Sequence, residues 1–437
     1  MLFRSAYCAL YFAAFGYLSA KAWTFARGRG YAWRLAAVLI VEPVLWAGLE
    51  IVRSRLFGGF AWNQLGVPAV NAGFGAPAVL GGVYVISAAV VLVNGTFASI
   101  AERVLAPRTG AAPASFPRWA RSVETLLPLA LVWALYAAAS GETGACAAAE
   151  DGRRLRVAMV QRNFPCAFSG EREDPEEAYG ALLPNLSPLR PDIVALPESA
   201  FCEAGRFGMS RADAFAAWVM RESGAGMLLA GGSRFEDGRE YNSAALFGAG
   251  GEMQCYDKVH LVPFGEYIPG DKVVKCLQKL APVGSCTPGE LKLLDVGGVK
   301  AGVGICFEDT DSAQTRRLAE MGAQVLFFIT NDSWFSRSDE ALQHAWQSVA
   351  RAIETGIPVV RVGNSGVTGV VSPTGAVSWL ADERGRPIVD RAGTMFDVVV
   401  PRGEGAGRTP YVAMGDAPLL TAFLLLSGAI VAAPRFR

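Results

Sequence analysis

Five long apolar runs punctuate the chain, at residues 5–26, 33–51, 77–99, 122–141 and 415–433. Each approaches the ~20 residues that a helix needs to cross a hydrocarbon core. A membrane-spanning helix is therefore expected over each, four before a polar block and one after it. The first run follows Arg4 and contains Leu18-Ser19-Ala20, the outline of a secretory signal. It continues through Trp23 and Phe25, and three more apolar runs follow, so a retained span is expected instead of a cleaved leader. Between Arg55 and Glu102 no residue is charged, and glycines and prolines break the first half of that stretch. This half is expected as a loop, either at the headgroup boundary, where Phe57, Phe60 and Trp62 are suited, or packed on the helices. Glu42 lies within the second run and is a functional candidate by its depth, whereas Glu50, near its end, is expected to reach the interface.

The texture changes near residue 155. Short apolar runs at 155–161, 193–197, 227–232, 301–306, 325–330 and 359–362 are bounded by Gly, Pro, Asn or Asp. They alternate with helical patterns at 211–222, 312–321 and 340–354. Buried strands with helices packed on them predict an α/β domain, layered as an αββα sandwich. Residues 369–400 read as antiparallel strands and turns, and the glycine-rich 402–408 as a linker. The expected organisation is a membrane module at 1–150, a catalytic domain at 151–402, a linker at 403–414 and a last span with a basic tail at 415–437.

Composition sharpens this picture. Of the 437 residues, 52% are hydrophobic and only 18% charged, too apolar for an ordinary soluble enzyme. Net charge is zero and no basic block stands out, so no nucleic-acid partner is expected. With two histidines and no Cys-x-x-Cys pair, neither a metal site, nor another cofactor, nor a His-dependent triad is expected. Cys202, Cys255, Cys276 and Cys286 lie in the polar block, and the sequence assigns them no pairing. Positive charge sits in the 27–34 connection, the 100–121 connection and the C-terminal tail, which fall on one side if there are five spans. These segments are expected in the cytoplasm and the polar block outside it.

Three segments supply candidate chemistry: Glu198 in LPES, Lys258 in YDKVH and Cys306 in GICFE. Each follows an apolar run, at an expected strand end. A glutamate, a lysine and a cysteine can run acyl transfer through a thioester without histidine. Glu198 takes the thiol proton if burial raises its pKa. Lys258 stabilises the oxyanion together with amides near Phe307. Cys306 attacks, its thiolate favoured by helix N-terminal amides. Taken singly, such residues are more often core or surface positions than catalysts, and spacing alone does not decide.

The surrounding words do. AMVQRNFP (158–165), ALPES (195–199), YDKVHLVPFGEYIP (256–269), GVGICFE (302–308), NDSWF (331–335), QH (343–344) and PVVRVGNSGVTG (358–369) resemble the carbon–nitrogen hydrolase (nitrilase) superfamily. Within it the chain resembles the membrane-bound apolipoprotein N-acyltransferases, a likeness that extends to Pro43–Trp46 of the second run, Glu50 and LFGGFAWNQLG at 56–66. The resemblance implies Glu198 as general base, Lys258 as transition-state lysine and Cys306 as nucleophile. It implies supporting roles for Glu266 and Glu308. Phe201, Trp334 and Phe335 are candidates for the acyl-chain wall, Phe307 is a candidate for substrate binding, and His260 and His344 are expected to be structural. Phe307 stands where the family has tyrosine. The family's about eight spans exceed the five counted here, the difference falling at the N-terminus and leaving the expected sidedness unchanged.

The implied reaction moves an acyl chain from a membrane phospholipid, through a cysteine thioester, to the α-amino group of a lipoprotein's diacylglyceryl-cysteine. The implied partners are the phospholipid donor, the diacylated lipoprotein and the bilayer, and a monomer is expected. The implied location is the bacterial inner membrane, multi-pass, with the catalytic block on the periplasmic side. Two rival readings are a membrane-tethered amidase acting on a small amide and an inactive membrane scaffold. Five spans speak against the first and the intact trio against the second.

Overall fold

The computed structural model describes residues 2–27, 29–105, 118–147, 152–164, 175–200, 210–268, 286–335, 338–387, 391–401 and 409–433. The chain forms two compact units, Met1–Gly144 with Thr409–Arg437, and Ala145–Arg408.

The first unit is helical. Among the described residues, three helices are long and apolar enough to cross a membrane: Tyr31–Arg53, Ala78–Ala101 and Ser122–Thr143. The expected first and last spans form helices too, Leu2–Arg27 and Ala417–Ala432. The former is diluted by Tyr7, Tyr11, Tyr17 and Lys21, and the latter has only 16 residues. The Tyr31–Arg53 helix widens into a π stretch at Ala37–Val41, just before Pro43, whose missing N–H and ring oppose regular i→i−4 bonding there. Leu18, Leu45, Leu49 and Phe423 share one core, so the last helix packs against the first two. Gly48 makes this possible, since a Cβ there would lie 2.2 Å from the Phe423 ring.

Glu42 is satisfied inside this unit, accepting from Ser19 Oγ (2.5 Å) and Trp23 Nε1 (2.6 Å). Glu50 does not reach outward. It is buried, and its Oε1 accepts from Trp46 Nε1 and from the Leu65 amide. Arg53 donates to the Trp62 and Asn63 carbonyls. The uncharged segment is thus pinned to the helix by two ionisable side chains, Glu50 and Arg53. Within it lie a 3-10 turn, Leu56–Gly58, and a short helix, Val67–Asn71, with Phe57 exposed and Phe60 and Trp62 half-buried.

The second unit contains twelve strands among the described residues. They are β1 (Arg153–Gln161), β2 (Ile193–Ala195), β3 (Met227–Glu236), β4 (Arg239–Gly248), β5 (Met253–Asp257), β6 (Leu293–Val296), β7 (Val299–Ile305), β8 (Val325–Thr330), β9 (Val359–Gly363), β10 (Gly369–Val371), β11 (Val377–Trp379) and β12 (Ala392–Val400). They form two six-stranded mixed sheets, ordered β12-β1-β2-β3-β4-β5 and β11-β10-β9-β8-β7-β6. Side-chain alternation builds the layers. Leu155, Val157 and Met159 of β1 join Val303, Ile305, Phe327 and Ile329 in a core between the sheets. The intervening Ala158 and Val160 meet Phe215 and Val219 of the helix Ser210–Ser223 on the outer face. Helices Ser312–Glu320 and Glu340–Thr355 pack on β7 and on β9 of the other sheet. This is the αββα sandwich expected from the sequence. The expected linker ends in a short helix, Pro410–Met414, capped by the Thr409 hydroxyl; residues 402–408 lie outside the described residues.

Candidate active site

Three strands end at the site. Lys258 follows β5 directly, Cys306 follows β7 directly, and Glu198 lies three residues past β2. Glu198 and Lys258 are buried, their Oε1 and Nζ 3.8 Å apart. Lys258 Nζ donates to Glu266 Oε1 at 2.9 Å. Asn242, on β4, sits between the two acids. Its side-chain amide donates to Glu198 Oε1 (2.8 Å) and to Glu266 Oε1 (2.7 Å), while its carbonyl accepts the Lys258 N–H. The Asn331 amide donates to the other Glu198 oxygen at 3.0 Å. Glu266 Oε2 is fixed by the Val262 amide at 2.8 Å.

Cys306 opens a 3-10 turn, Cys306–Thr310, with φ 52°, a left-handed conformation that a residue with a Cβ adopts at a cost. Such strain persists only where the surroundings over-determine it. Glu308 supplies much of that determination. Fully buried, it accepts from the Ile305 amide (2.8 Å), the Val259 amide (2.8 Å), the His260 amide (2.9 Å) and the Tyr256 hydroxyl. One carboxylate therefore clamps the segment bearing Lys258 to the turn bearing Cys306. Ser199, beside Glu198, is also left-handed, at φ 62°.

The electrostatics separate the two acids of the site. Burial raises the Glu198 carboxyl above its ordinary range, with Lys258 opposing and the Glu266 charge adding to the rise. Burial acts on Glu266 too, but the Lys258 charge and the Val262 and Asn242 hydrogen bonds hold it below the ordinary range. For Lys258 burial alone would favour the neutral amine, and the charges of Glu266 and Glu198 together outweigh it, so the ammonium persists. Two carboxyls driven apart around one cation form an acid–base arrangement in which Glu198 is the group able to exchange a proton.

The thiol departs from expectation. Burial first, then the charge of Glu198, raise the Cys306 thiol well above its usual range against the pull of Lys258. The resting group is a neutral thiol, because desolvation and a neighbouring carboxylate outweigh the amides of a five-residue turn. That state suits a site with its own base.

Of the aromatic candidates, Trp334 is exposed and Phe335 meets the His344 ring edge-on at 6.0 Å. Phe307 is buried against His260, rings T-shaped at 5.4 Å. Phe201 lies outside the described residues. Sequence reasoning missed Asn242. Its signal was an asparagine inside a strand, between Tyr241 and Ser243, where that residue type is disfavoured. It also missed Asp309, Asp332 and Arg361, buried behind the site.

Comparison with known proteins bears on this geometry. The model of the apolipoprotein N-acyltransferase N-terminal domain matches residues 1–96. The carbon–nitrogen hydrolase model matches residues 193–395, a span that includes Glu198, Lys258, Glu266, Cys306 and Glu308. An apolipoprotein N-acyltransferase of Geobacter metallireducens is 31% identical over 426 residues, 92% of this chain and 75% of that protein. The chain belongs to the apolipoprotein N-acyltransferase family. Family members from Photobacterium profundum (28% identical, 94% of this chain and 75% of that protein) and Nitrosomonas europaea (31%, 89% and 74%) are similar to it over comparable spans. Among solved structures, an amidase mutant from Nesterenkonia sp. AN1 in complex with butyramide matches with a TM-score of 0.44 at 19% identity, covering 62% of this chain and 97% of that one. With its long apolar helices and its family, the chain is a membrane protein.

Proposed function

We propose that this chain is an N-acyltransferase that moves an acyl chain from a membrane phospholipid to the α-amino group of a lipoprotein's N-terminal diacylglyceryl-cysteine. The observation that carries this reading is a cysteine site with its own base and cation on the same chain as helices able to cross a membrane. In the first half-reaction the Cys306 sulfur attacks the ester carbonyl while Glu198 takes the thiol proton. The negative charge passes from Glu198 through sulfur to the carbonyl oxygen. The Lys258 ammonium lies beside that path, so the charge stays near one fixed cation throughout. As the C–O bond breaks, Glu198 returns the proton to the departing lysophospholipid oxygen and leaves a thioester. In the second half-reaction the lipoprotein amine attacks the thioester and Glu198 takes the amine proton; as the amide C–N bond forms and the C–S bond breaks, Glu198 returns that proton to the departing Cys306 sulfur. Glu266 and Asn242 position Lys258 and Glu198, and Glu308 holds the turn that presents Cys306.

Trp334 is proposed to lie along the acyl chain. The basic segments, Arg29 and Arg34 among them, support the inner membrane with the catalytic unit on the periplasmic side. Mass spectrometry of protein incubated with phospholipid tests the mechanism. An acyl mass on Cys306, released by hydroxylamine and absent from Cys306→Ala, is expected. Adding a diacylated lipopeptide should then discharge the adduct onto the peptide amine. Discharge by water alone would favour the amidase reading, and an adduct elsewhere would refute the mechanism.

A further inference from the structure

Behind the nucleophile lies a cluster of six ionisable side chains, each with no exposed surface: Asp309, Asp332, His344, Arg351, Glu354 and Arg361. Arg361 spans the two aspartates, with Nη1 2.5 Å from Asp309 Oδ2 and Nη2 3.0 Å from Asp332 Oδ2. Arg351 pairs with Glu354. His344 closes the group, Nδ1 2.7 Å from Asp332 Oδ1 and Nε2 2.9 Å from Asp309 Oδ1, the latter contact off the ideal hydrogen-bond axis. Both ring nitrogens thus face carboxylate oxygens. A neutral imidazole carries one N–H and one lone pair, so it would set a lone pair against a carboxylate in either tautomer. With His344 as imidazolium, three cations meet three anions, and the buried cluster is neutral. With neutral imidazole it holds an uncompensated negative charge away from water, which is costly.

Both aspartates connect to the nucleophile. Asp309 belongs to the turn that Cys306 opens. Asp332 accepts from Thr330 Oγ1 at 2.8 Å, and Thr330 is itself a hydrogen-bond neighbour of the Cys306 thiol. Between Thr330 and Asp332 lies Asn331, whose amide donates to Glu198. We infer that His344 is a positioning residue for acyl transfer, kept as an imidazolium that ties Asp309 to Asp332 and so fixes Cys306 and the Asn331 amide relative to each other. The charged groups that act on it are Asp309 from the nucleophile turn, Asp332 from the turn Asp332–Phe335 and Arg361 from β9, with the Phe335 ring edge-on to it and Arg351 and Glu354 farther along its own helix. Burial alone would depress the imidazolium. The Asp309 and Asp332 charges outweigh it, against Arg361, and raise its pKa to about 9.

The inference rests on the thioester reading only for its kinetic readout; its charge-state readout is independent of activity. The chain has only two histidines, so protein labelled with 15N-histidine gives two imidazole signal sets, and His260→Gln removes one. The remaining set is expected to show both nitrogens protonated at pH 7.5 and to titrate near 9. A single-proton tautomer at pH 7.5 would overturn the inference. For positioning, His344→Gln is expected to slow acylation of Cys306 on the order of 10- to 100-fold, with little change in the phospholipid KM. It should also abolish the alkaline limb of the rate–pH profile near 9. Unchanged acylation in that variant overturns the positioning role. Asp309→Asn combined with His344→Gln restores neutrality and is expected to recover folding yield, and part of any lost rate, relative to His344→Gln alone. A double variant no better than the single would refute the charge-balance argument, whether or not the single folds.

Discussion

Single residues at this site are defined by what their neighbours do to their charge. Glu198 is raised by burial and by Glu266, and lowered by Lys258, so its proton affinity reports directly on the lysine. With Glu198 as the proposed base, acylation is expected to decline as pH falls through its pKa, which burial raises above the ordinary glutamate range. Lys258→Met removes the charge that favours the carboxylate, so the acid limb should move to higher pH while the rate falls by ~10²–10³-fold. Pre-steady-state acylation followed by mass spectrometry across pH measures both effects. An acid limb that stays in place would separate the lysine from the base. At this scale Cys306, Lys258 and Glu198 were legible because a strand end and flanking words marked each. Asn242 was not, because its importance comes from three contacts that only strand pairing assembles.

At the level of elements, close approach of β3 to the segment after β2 positions Glu198. A Cβ at Gly231 would lie 2.6 Å from Glu198 Cα and 2.7 Å from the Pro197 carbonyl, both backbone atoms with little freedom to yield. Gly231→Ala is expected to cost about 1–3 kcal/mol of stability. It should also lower acylation more than that loss of folded protein explains, because Glu198 must shift. Unfolding midpoints compared with acylation rates of the folded fraction decide it. β8 and the three outer helices were readable because apolar period and end residues agreed. Strands β4, β5 and β6 were not. They carry Arg239, Glu240, Gln254 and Asp295, and owe their pairing to neighbouring strands more than to a local pattern. The resting state of Cys306 was misread for a related reason. The helix-start pattern is local, whereas the burial and the Glu198 charge that override it come from the tertiary fold.

For the whole molecule, the proposed sidedness rests on the basic segments, and a reporter fused after Arg437 is expected to read as cytoplasmic, a periplasmic signal reversing the proposed orientation. The helical unit is built from both ends of the chain, and Phe423 completes a core with Leu18, Leu45 and Leu49. That placement has a consequence in time. During synthesis at about 5–20 residues per second, the roughly 370 residues between Leu49 and Phe423 take on the order of 20–75 seconds to make. Throughout that interval the seam beside Gly48 lacks the ring that fills it. The intervening unit, with a sandwich core of its own, can complete its fold while the membrane unit is still open. Phe423 therefore reaches that seam only after residues 145–408 have been made, so a ribosome that stalls before residue 409 leaves the seam beside Gly48 unfilled.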